Sequence, residues 1–186
     1  MRRLIAKVAL IRHEYIRHIY KHLRYYWTDI TGRTITQRVA DWISNLINEK
    51  YLDITAEPFG EKITLYLYRS DRVRIRLGDL GDGVQLLIAS RILIEDLNPD
   101  IVLWDDVESH MNPRSLTWLA EWLADLTKEK QVVLTTHSLE ALETIANLVE
   151  NTSILKLTLT NGILNVEEYN VEDIEKLKKL GIDIRA

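Results

Sequence analysis

"IVLWDDVESHMNP", residues 101–113, decides the fold. A short apolar run ends abruptly in two aspartates and is followed by a turn that a proline closes. "DIVLW", residues 100–104, reads as a buried strand, and "QVVLTTH", residues 131–137, repeats the pattern. Residues 114–128 between them carry a helical pattern, as do 83–97 before and 138–150 after. Ser138 is a natural N-cap for the last of these, with Glu140 and Glu143 favourable near its positive end. Strand and helix alternating through short loops predict a parallel sheet flanked by helices, an α/β core.

Outward from this core the patterns change. Leu4, Ile5, Val8, Ile11, Tyr15, Ile16, Ile19, Leu23 and Tyr26 recur at three and four, which predicts an amphipathic helix over 4–27. Thr31-Gly32 stops it, and a second helix follows over 35–50, before a short extended piece and a turn at Pro58 to Gly60. "KITLYLYRSDRVRIRL", residues 62–77, alternates on both sides of Ser70-Asp71 and predicts a hairpin or two edge strands. At the far end, Asn161-Gly162 between alternating runs is a strong hairpin signal, followed by a short helix over 171–180. The expected organisation is a helical segment (1–50), a β-hairpin segment (51–76), the core (77–150) and a C-terminal hairpin with helix (151–186). No internal repeat or linker interrupts it.

The 186 residues suit one domain with a sizeable core. A formal net charge of −4 creates no global attraction for nucleic acid, although Arg2, Arg3, Lys7, Arg12, Arg17, Lys21 and Arg24 make the first segment locally basic. That face reads as solvated or covered by another lobe, with DNA contact the weaker option. The absence of cysteine excludes disulfides and thiolate metal sites. No apolar run reaches the roughly 18 residues of a membrane span and no signal-peptide core is visible, so a cytoplasmic location is expected. Few glutamines and methionines among many Ile, Leu, Arg and Glu lean toward a thermophilic source.

Ligands of open parallel sheets bind beyond the carboxyl ends of the strands. That rule selects Asp105 and Asp106 after one strand and Thr135, Thr136 and His137 after the other. Two carboxylates and an imidazole at one rim are what a Mg²⁺-nucleotide site requires: one acid for the hydrated metal, another to orient water. Upstream, "LGDLGDGVQLL", residues 77–87, places three of the seven glycines before a helix, where exposed amides and the helix dipole favour anions.

The order "LGDGVQ", "IVLWDDVESHMNP", "VVLTTHS" resembles the second half of an ATP-binding-cassette-type ATPase head. It is most like the AAA-type ATPases related to SMC, DNA-repair and OLD-family proteins, and the resemblance covers about residues 77–150. It implies a signature-type loop, a Walker B strand with its D-loop, and a switch histidine. Asp105 then matches the aspartate that acts on Mg²⁺ through water, Asp106 the acid that polarises the attacking water, and His137 the sensor of the γ-phosphate. Gly81, Asp82, Gly83 and Gln85 of the signature-type loop, with Asn112 of the Met111-Asn112-Pro113 D-loop, are implied nucleotide contacts. ATP and Mg²⁺ are the implied cofactors, and an ATP-dependent head dimer the implied assembly.

Three departures qualify this. Asp106 is a methylene shorter than the family's usual glutamate, and a base so misplaced can cost about 10²-fold in rate. Gly81 replaces the usual serine of the signature motif. No G-x-x-x-x-G-K-[ST] occurs in the 186 residues, and "TGRT", residues 31–34, is too short to serve as a phosphate loop. The chain therefore resembles a C-terminal lobe of a P-loop NTPase, expected to be completed by an N-terminal Walker A lobe from the same gene or a separate subunit. The alternative is a catalytically weak ATPase-fold subunit with an interaction or regulatory role. A third reading, a metal-dependent phosphoesterase using Asp105, Asp106 and Glu108, is disfavoured.

Other candidates read more plainly. Glu108 and His110 suit a solvated loop better than a metal cluster with the aspartates. His13, His18 and His22, spaced five and four along the first helix, share part of a face, but His18 and His22 suit a surface pair better than zinc ligands, since no Glu or Cys completes a set. Trp118 and Trp122 suit core or interface rather than a stacking platform. The C-terminal hairpin and helix carry no catalytic signal and are too short for an appended nuclease domain.

Overall fold

A computed structural model of the chain describes residues 6–60 and 62–179. In chain order the elements are β1 (Val8–Ile11), α1 (Ile16–Tyr25), α2 (Trp27–Gly32), α3 (Ile35–Ile47), β2 (Tyr51–Phe59), β3 (Lys62–Arg69) and β4 (Arg74–Arg76). There follow α4 (Asp82–Leu97), β5 (Ile101–Trp104), α5 (Pro113–Leu126), β6 (Gln131–Leu134), α6 (Leu139–Leu148), β7 (Ile154–Thr160), β8 (Ile163–Tyr169) and α7 (Val171–Lys179). Single 3₁₀ turns cover His13–Tyr15 and Leu77–Leu80.

The central sheet is parallel, in the order β1-β5-β6, with Leu10 opposite Leu103 and Leu103 opposite Val133. One face of it, carrying Ile11, Val102 and Trp104, joins the main core with Leu86, Leu87 and Ile88 of α4 and Leu116, Leu119 and Leu123 of α5. α4 is the pivot of the fold: its buried residues fall on every side rather than in one stripe, and it touches α1, α3, α5 and β1. Helices apolar all round are the ones that end up enclosed. The outer face of the sheet is less well covered: Val8, Leu10 and Val133 stay 49%, 46% and 48% exposed, and β6 is an edge strand.

The first segment corrects the expectation of one continuous helix over 4–27. Val8–Ile11 is a strand paired in parallel with β5, its side chains alternating exposed and buried, and the helix begins only at Ile16. Residues 4 and 5 lie outside the described residues. The physical reason is that a short apolar run satisfies both the helical and the extended period. Here the edge of β5 offers the backbone a ladder, which a local pattern cannot reveal. Three other basic groups of the helical layer anchor it to α4: His22 and Arg33 reach Asp96, and Arg38 reaches Glu95, at the C-terminal end of α4.

A second correction concerns the extended piece before Pro58. It is a nine-residue strand, β2, and the expected hairpin is part of a three-stranded antiparallel sheet in the order β2-β3-β4. The C-terminal hairpin forms where Asn161-Gly162 predicts it, both turn residues at positive φ, 53° and 79°. Its two faces differ sharply. Leu155, Leu157, Leu159, Leu164 and Val166 lie together on one face and are all more than half exposed.

Tryptophans lock the interior beside α5. Trp122 is buried, 6.0 Å from Trp104 and 5.9 Å from Trp42, and the Arg91 guanidinium lies 4.3 Å over the Trp42 ring. Such edge and tilted pairs add about 0.5–1.5 kcal/mol to the burial of the rings. Trp118 stays half-buried, with Arg114 5.0 Å above its ring.

Candidate functional site at the carboxyl rim of the parallel sheet

Register alone brings the acids and the histidine together. β5 and β6 run side by side with Trp104 opposite Leu134, so the residues that follow each strand emerge at the same rim. The ladder continues past the strands: Thr135 N–H donates to the Trp104 carbonyl at 2.9 Å, and Val107 N–H to the Thr135 carbonyl at 3.0 Å.

Thr135 is the hinge between the two loops. Its hydroxyl donates to Asp105 Oδ1 at 2.5 Å and accepts the Asp106 backbone N–H at 2.9 Å. Asp106 needs that support because it holds φ at 49°, a left-handed conformation that aspartate tolerates better than most residues but at some cost. The other oxygen of Asp105 receives the Arg12 guanidinium, Nε to Oδ2 at 2.9 Å. The Asp105 carboxylate in turn holds the Arg12 guanidinium above its ordinary pKa. Arg12 was not legible as a site residue, because it stands one position beyond a strand that the sequence pattern presents as helix.

Glu108 does not join the aspartates. It turns under the second loop, where Oε1 accepts the His137 backbone N–H at 2.8 Å. Burial works against its ionisation, but the Thr136 hydroxyl and the amides of Glu108 and His137 outweigh it and hold the carboxyl below the ordinary value. Glu108 thus staples the His137 backbone while the imidazole reaches outward, 93% exposed, with Nε2 3.9 Å from Asp106 Oδ1. The distance is an open approach rather than a hydrogen bond.

The glycine-rich loop ends at α4. Gly81, the residue before the helix, has φ at 92°, which strains any residue with a side chain, so a glycine there is a backbone requirement. Gly83 is required for another reason: a Cβ would stand 2.4 Å from the His110 carbonyl oxygen. The turn after β5 therefore sits directly on the first turn of α4, and Asp82 is exposed beside it. Gln85 points inward, donating from Nε2 to the Tyr20 hydroxyl at 2.7 Å; burial pushes that phenol up to about 12, with the Gln85 contact opposing. Asn112 caps α5, its Oδ1 accepting from Ser115 N–H at 2.9 Å and from the Ser115 hydroxyl at 3.0 Å.

The rim thus unites Asp105, Asp106 and His137, with Gly81 and Asp82 on the neighbouring α4 terminus; Gln85 and Asn112 are engaged in internal hydrogen bonds. The Asp105 and Asp106 carboxylates, part-exposed at the sheet rim, suit a hard, hydrated divalent cation held through oxygen. Arg12 shares Asp105 with any such ion. His18 is exposed on α1, while His22 is tied to Asp96, so those two form no joint site. Among the described residues, no helix is long and apolar enough to cross a membrane.

Residues 29–143, more than half of the chain, match the family described as "AAA domain, putative AbiEii toxin, Type IV TA system". The chain is 31% identical over 132 residues to the phosphate import ATP-binding protein PstB of Mycobacterium leprae (strain TN), covering 70% of this chain and 48% of that protein. It is 31% identical over 109 residues to the methionine import ATP-binding protein MetN 2 of Oenococcus oeni (strain ATCC BAA-331 / PSU-1), covering 57% and 29%. The chain therefore spans about half the length, or less, of these relatives. Among solved structures, an Smc head bound to the C-terminal winged-helix domain of ScpA superposes with a TM-score of 0.64 at 15% identity, over 88% of this chain and 56% of that one. A chain from work on ATP-driven dimerization and DNA-stimulated activation of SMC ATPases gives 0.60 at 12% identity, over 89% and 98%. The SMC head domain from Thermotoga maritima gives 0.57 at 14%, over 88% and 54%. Likeness at such identities shows the fold, that of a P-loop NTPase lobe.

Proposed function

The chain belongs to the AAA-domain family matched over residues 29–143, and from that premise we propose that it is the C-terminal lobe of an ABC/AAA-type ATPase. It would supply hydrolysis residues to ATP gripped by a P-loop outside these 186 residues. The observation that carries the proposal is the convergence of Asp105, Asp106 and His137 at one rim of the sheet.

In this reading Asp105 holds hydrated Mg²⁺ through water, and Mg²⁺ supplies charge neutralisation of the phosphates when bound. Asp106 orients the attacking water and His137 senses the terminal phosphate from its exposed position. Gly81, Asp82 and Gly83 at the α4 terminus present amides to a phosphate held by another head, as in an ATP-dependent dimer. Gln85 and Asn112 act behind this surface by fixing α4 and α5. In this reading β1 joins 77–150 in the ATPase core, 16–50 form the helical layer, 51–76 the antiparallel sheet, and 151–179 the C-terminal hairpin and helix.

The open edge of β6 and the half-exposed Val8, Leu10 and Val133 support a Walker A lobe as the missing neighbour. A parallel sheet of this kind is normally covered on both faces, and a lobe bringing a further strand would pair the edge and cover the face. DNA contact stays the weaker option: of the basic first segment, Arg12 is committed to Asp105, while Arg17, Lys21 and Arg24 are exposed.

The experiment mixes this chain with its Walker A lobe and measures Mg²⁺-ATP turnover. Turnover that appears only in the mixture and falls at least about 10²-fold in Asp105→Ala and His137→Ala is expected. Turnover indifferent to both substitutions would leave a second reading, an interaction or regulatory subunit with the ATPase fold. Asp106 in place of glutamate and Gly81 in place of serine favour that second reading.

A further inference from the structure

His13, Asp82 and His110 come from three separate segments: the turn after β1, the first residue of α4, and the loop between β5 and α5. One potential ligand atom from each, two imidazole nitrogens and a carboxylate oxygen, all lie within 4.8 Å of one another. The two imidazoles are stacked, with centroids 3.8 Å apart and planes 29° from parallel.

The backbone holds this arrangement. Gly83 lets the His110 carbonyl rest against the first turn of α4, which keeps His110 beside Asp82. The pairing of Ile11 with Trp104 fixes where the chain leaves β1, and so where His13 begins its turn.

We propose that His13, Asp82 and His110 bind one late first-row divalent cation of the zinc class. Two imidazoles and one carboxylate suit Zn²⁺, Ni²⁺ or Co²⁺, whereas Mg²⁺ prefers oxygen ligands throughout. Bonds of about 2.0–2.1 Å at a tetrahedral ion put ligand atoms about 3.3–3.4 Å apart, so binding draws the three ligand atoms inward and turns the two stacked rings until an in-plane nitrogen of each faces the ion, with water in the fourth position. Asp82 and His110 are exposed and His13 is half-buried, so the side chains can turn without opening the core. The positive end of α4 works against a cation, and the Asp82 carboxylate at that end offsets it. The bound ion ties the glycine-rich loop to the loop that carries Asp105 and Asp106. Asp82 is shared with the nucleotide reading, which uses its backbone amide while the ion takes its carboxylate, so the metal site is tested without nucleotide.

The metal-free full chain is titrated with Zn²⁺ by calorimetry and with Co²⁺ by visible absorption, and its thermal unfolding is followed with and without Zn²⁺. One ion per chain and a raised Tm are expected, since an ion that binds only the native state stabilises it. His13→Gln and His110→Asn should each weaken binding at least tenfold, while His18→Asn, on the exposed side of α1, leaves it unchanged. Asparagine is chosen at 110 because His110 holds φ at 63° and Asn tolerates that conformation. If either histidine variant loses its helical circular dichroism, Asp82→Asn, an isosteric change at an exposed position, decides in its place. Absence of binding, or binding that the deciding variants leave within twofold, overturns the proposal.

Discussion

Arg12 Nε lies 2.9 Å from Asp105 Oδ2, while the Thr135 hydroxyl occupies the other oxygen of the same carboxylate. One aspartate thus joins all three strands of the parallel sheet at the rim, because Arg12 follows β1, Asp105 follows β5 and Thr135 follows β6. Arg12→Ala is expected to leave the urea midpoint almost unchanged, because exposed ion pairs contribute little to stability. If the proposed pairing with a Walker A lobe holds, the same change should lower the Mg²⁺ concentration needed for half-maximal turnover of the mixture, since it removes a competing cation. An unchanged Mg²⁺ requirement would show that Arg12 swings clear of its own accord.

Thr135→Val removes a donor to Asp105 and an acceptor for Asp106 N–H while keeping the side-chain shape. A cost of about 0.5–1.5 kcal/mol is expected, the net worth of such hydrogen bonds where water can replace the lost partner. Equilibrium denaturation measures it, and Thr135→Ser, which keeps the hydroxyl, should recover most of the loss.

Glycine substitutions separate close approach from open space. Gly83→Ala drives a Cβ into the His110 carbonyl and should cost about 1–3 kcal/mol or more, as overpacking does. A Cβ at Gly78 meets nothing within 4 Å, so Gly78→Ala should stay within about 0.5 kcal/mol of the parent. Thermal unfolding of the two variants side by side checks the contrast.

Glu108 gives the fold an acid sensitivity with a definite sign. Its carboxyl titrates lower in the folded chain than its ordinary value of 4.5, so the unfolded chain binds the proton more readily. The stabilisation is present above the ordinary value and is lost as pH falls through the lower folded value. Glu108→Gln should therefore flatten the decline of stability below about pH 5. Denaturation midpoints of parent and variant from pH 3 to 7 test this; parallel curves would contradict it.

Asp96, only 8% exposed at its side chain, accepts from His22 Nε2 at 2.7 Å and also pairs with Arg33. Asp96→Ala removes the anchor of both α1 and the α2–α3 corner on α4. A loss of about 1–2 kcal/mol is expected, less than for a fully buried pair because water reaches Arg33 and His22 once the anchor is gone. A double-mutant cycle with His22→Ala should return a coupling above about 0.5 kcal/mol.

Much of this architecture was legible in the chain itself. The runs ending in Asp105 and in Thr135 announced parallel strands because apolar stretches between helices have few other places to go, and the Asn161-Gly162 hairpin was local chemistry. Asp105, Asp106 and His137 could be selected because the ends of parallel strands share a rim. β1 escaped detection, and Arg12 with it, since four apolar residues fit either period until a partner strand is at hand. Glu108 stood one loop away from its true partner, the His137 amide, and nothing in "DDVESH" points across 29 positions.

The sequence by itself determined the class of the fold, the acids and histidine at the strand ends, and the want of a phosphate loop, because those depend on periodicity and on residue type. Only the tertiary structure decided what each group touches. Arg12 sits on Asp105, Glu108 is spent on a backbone amide, and His13 meets His110 although 97 positions separate them in the chain. Such pairings follow from strand register and from the close approach that Gly83 permits, and both are properties of the packed backbone rather than of any local stretch.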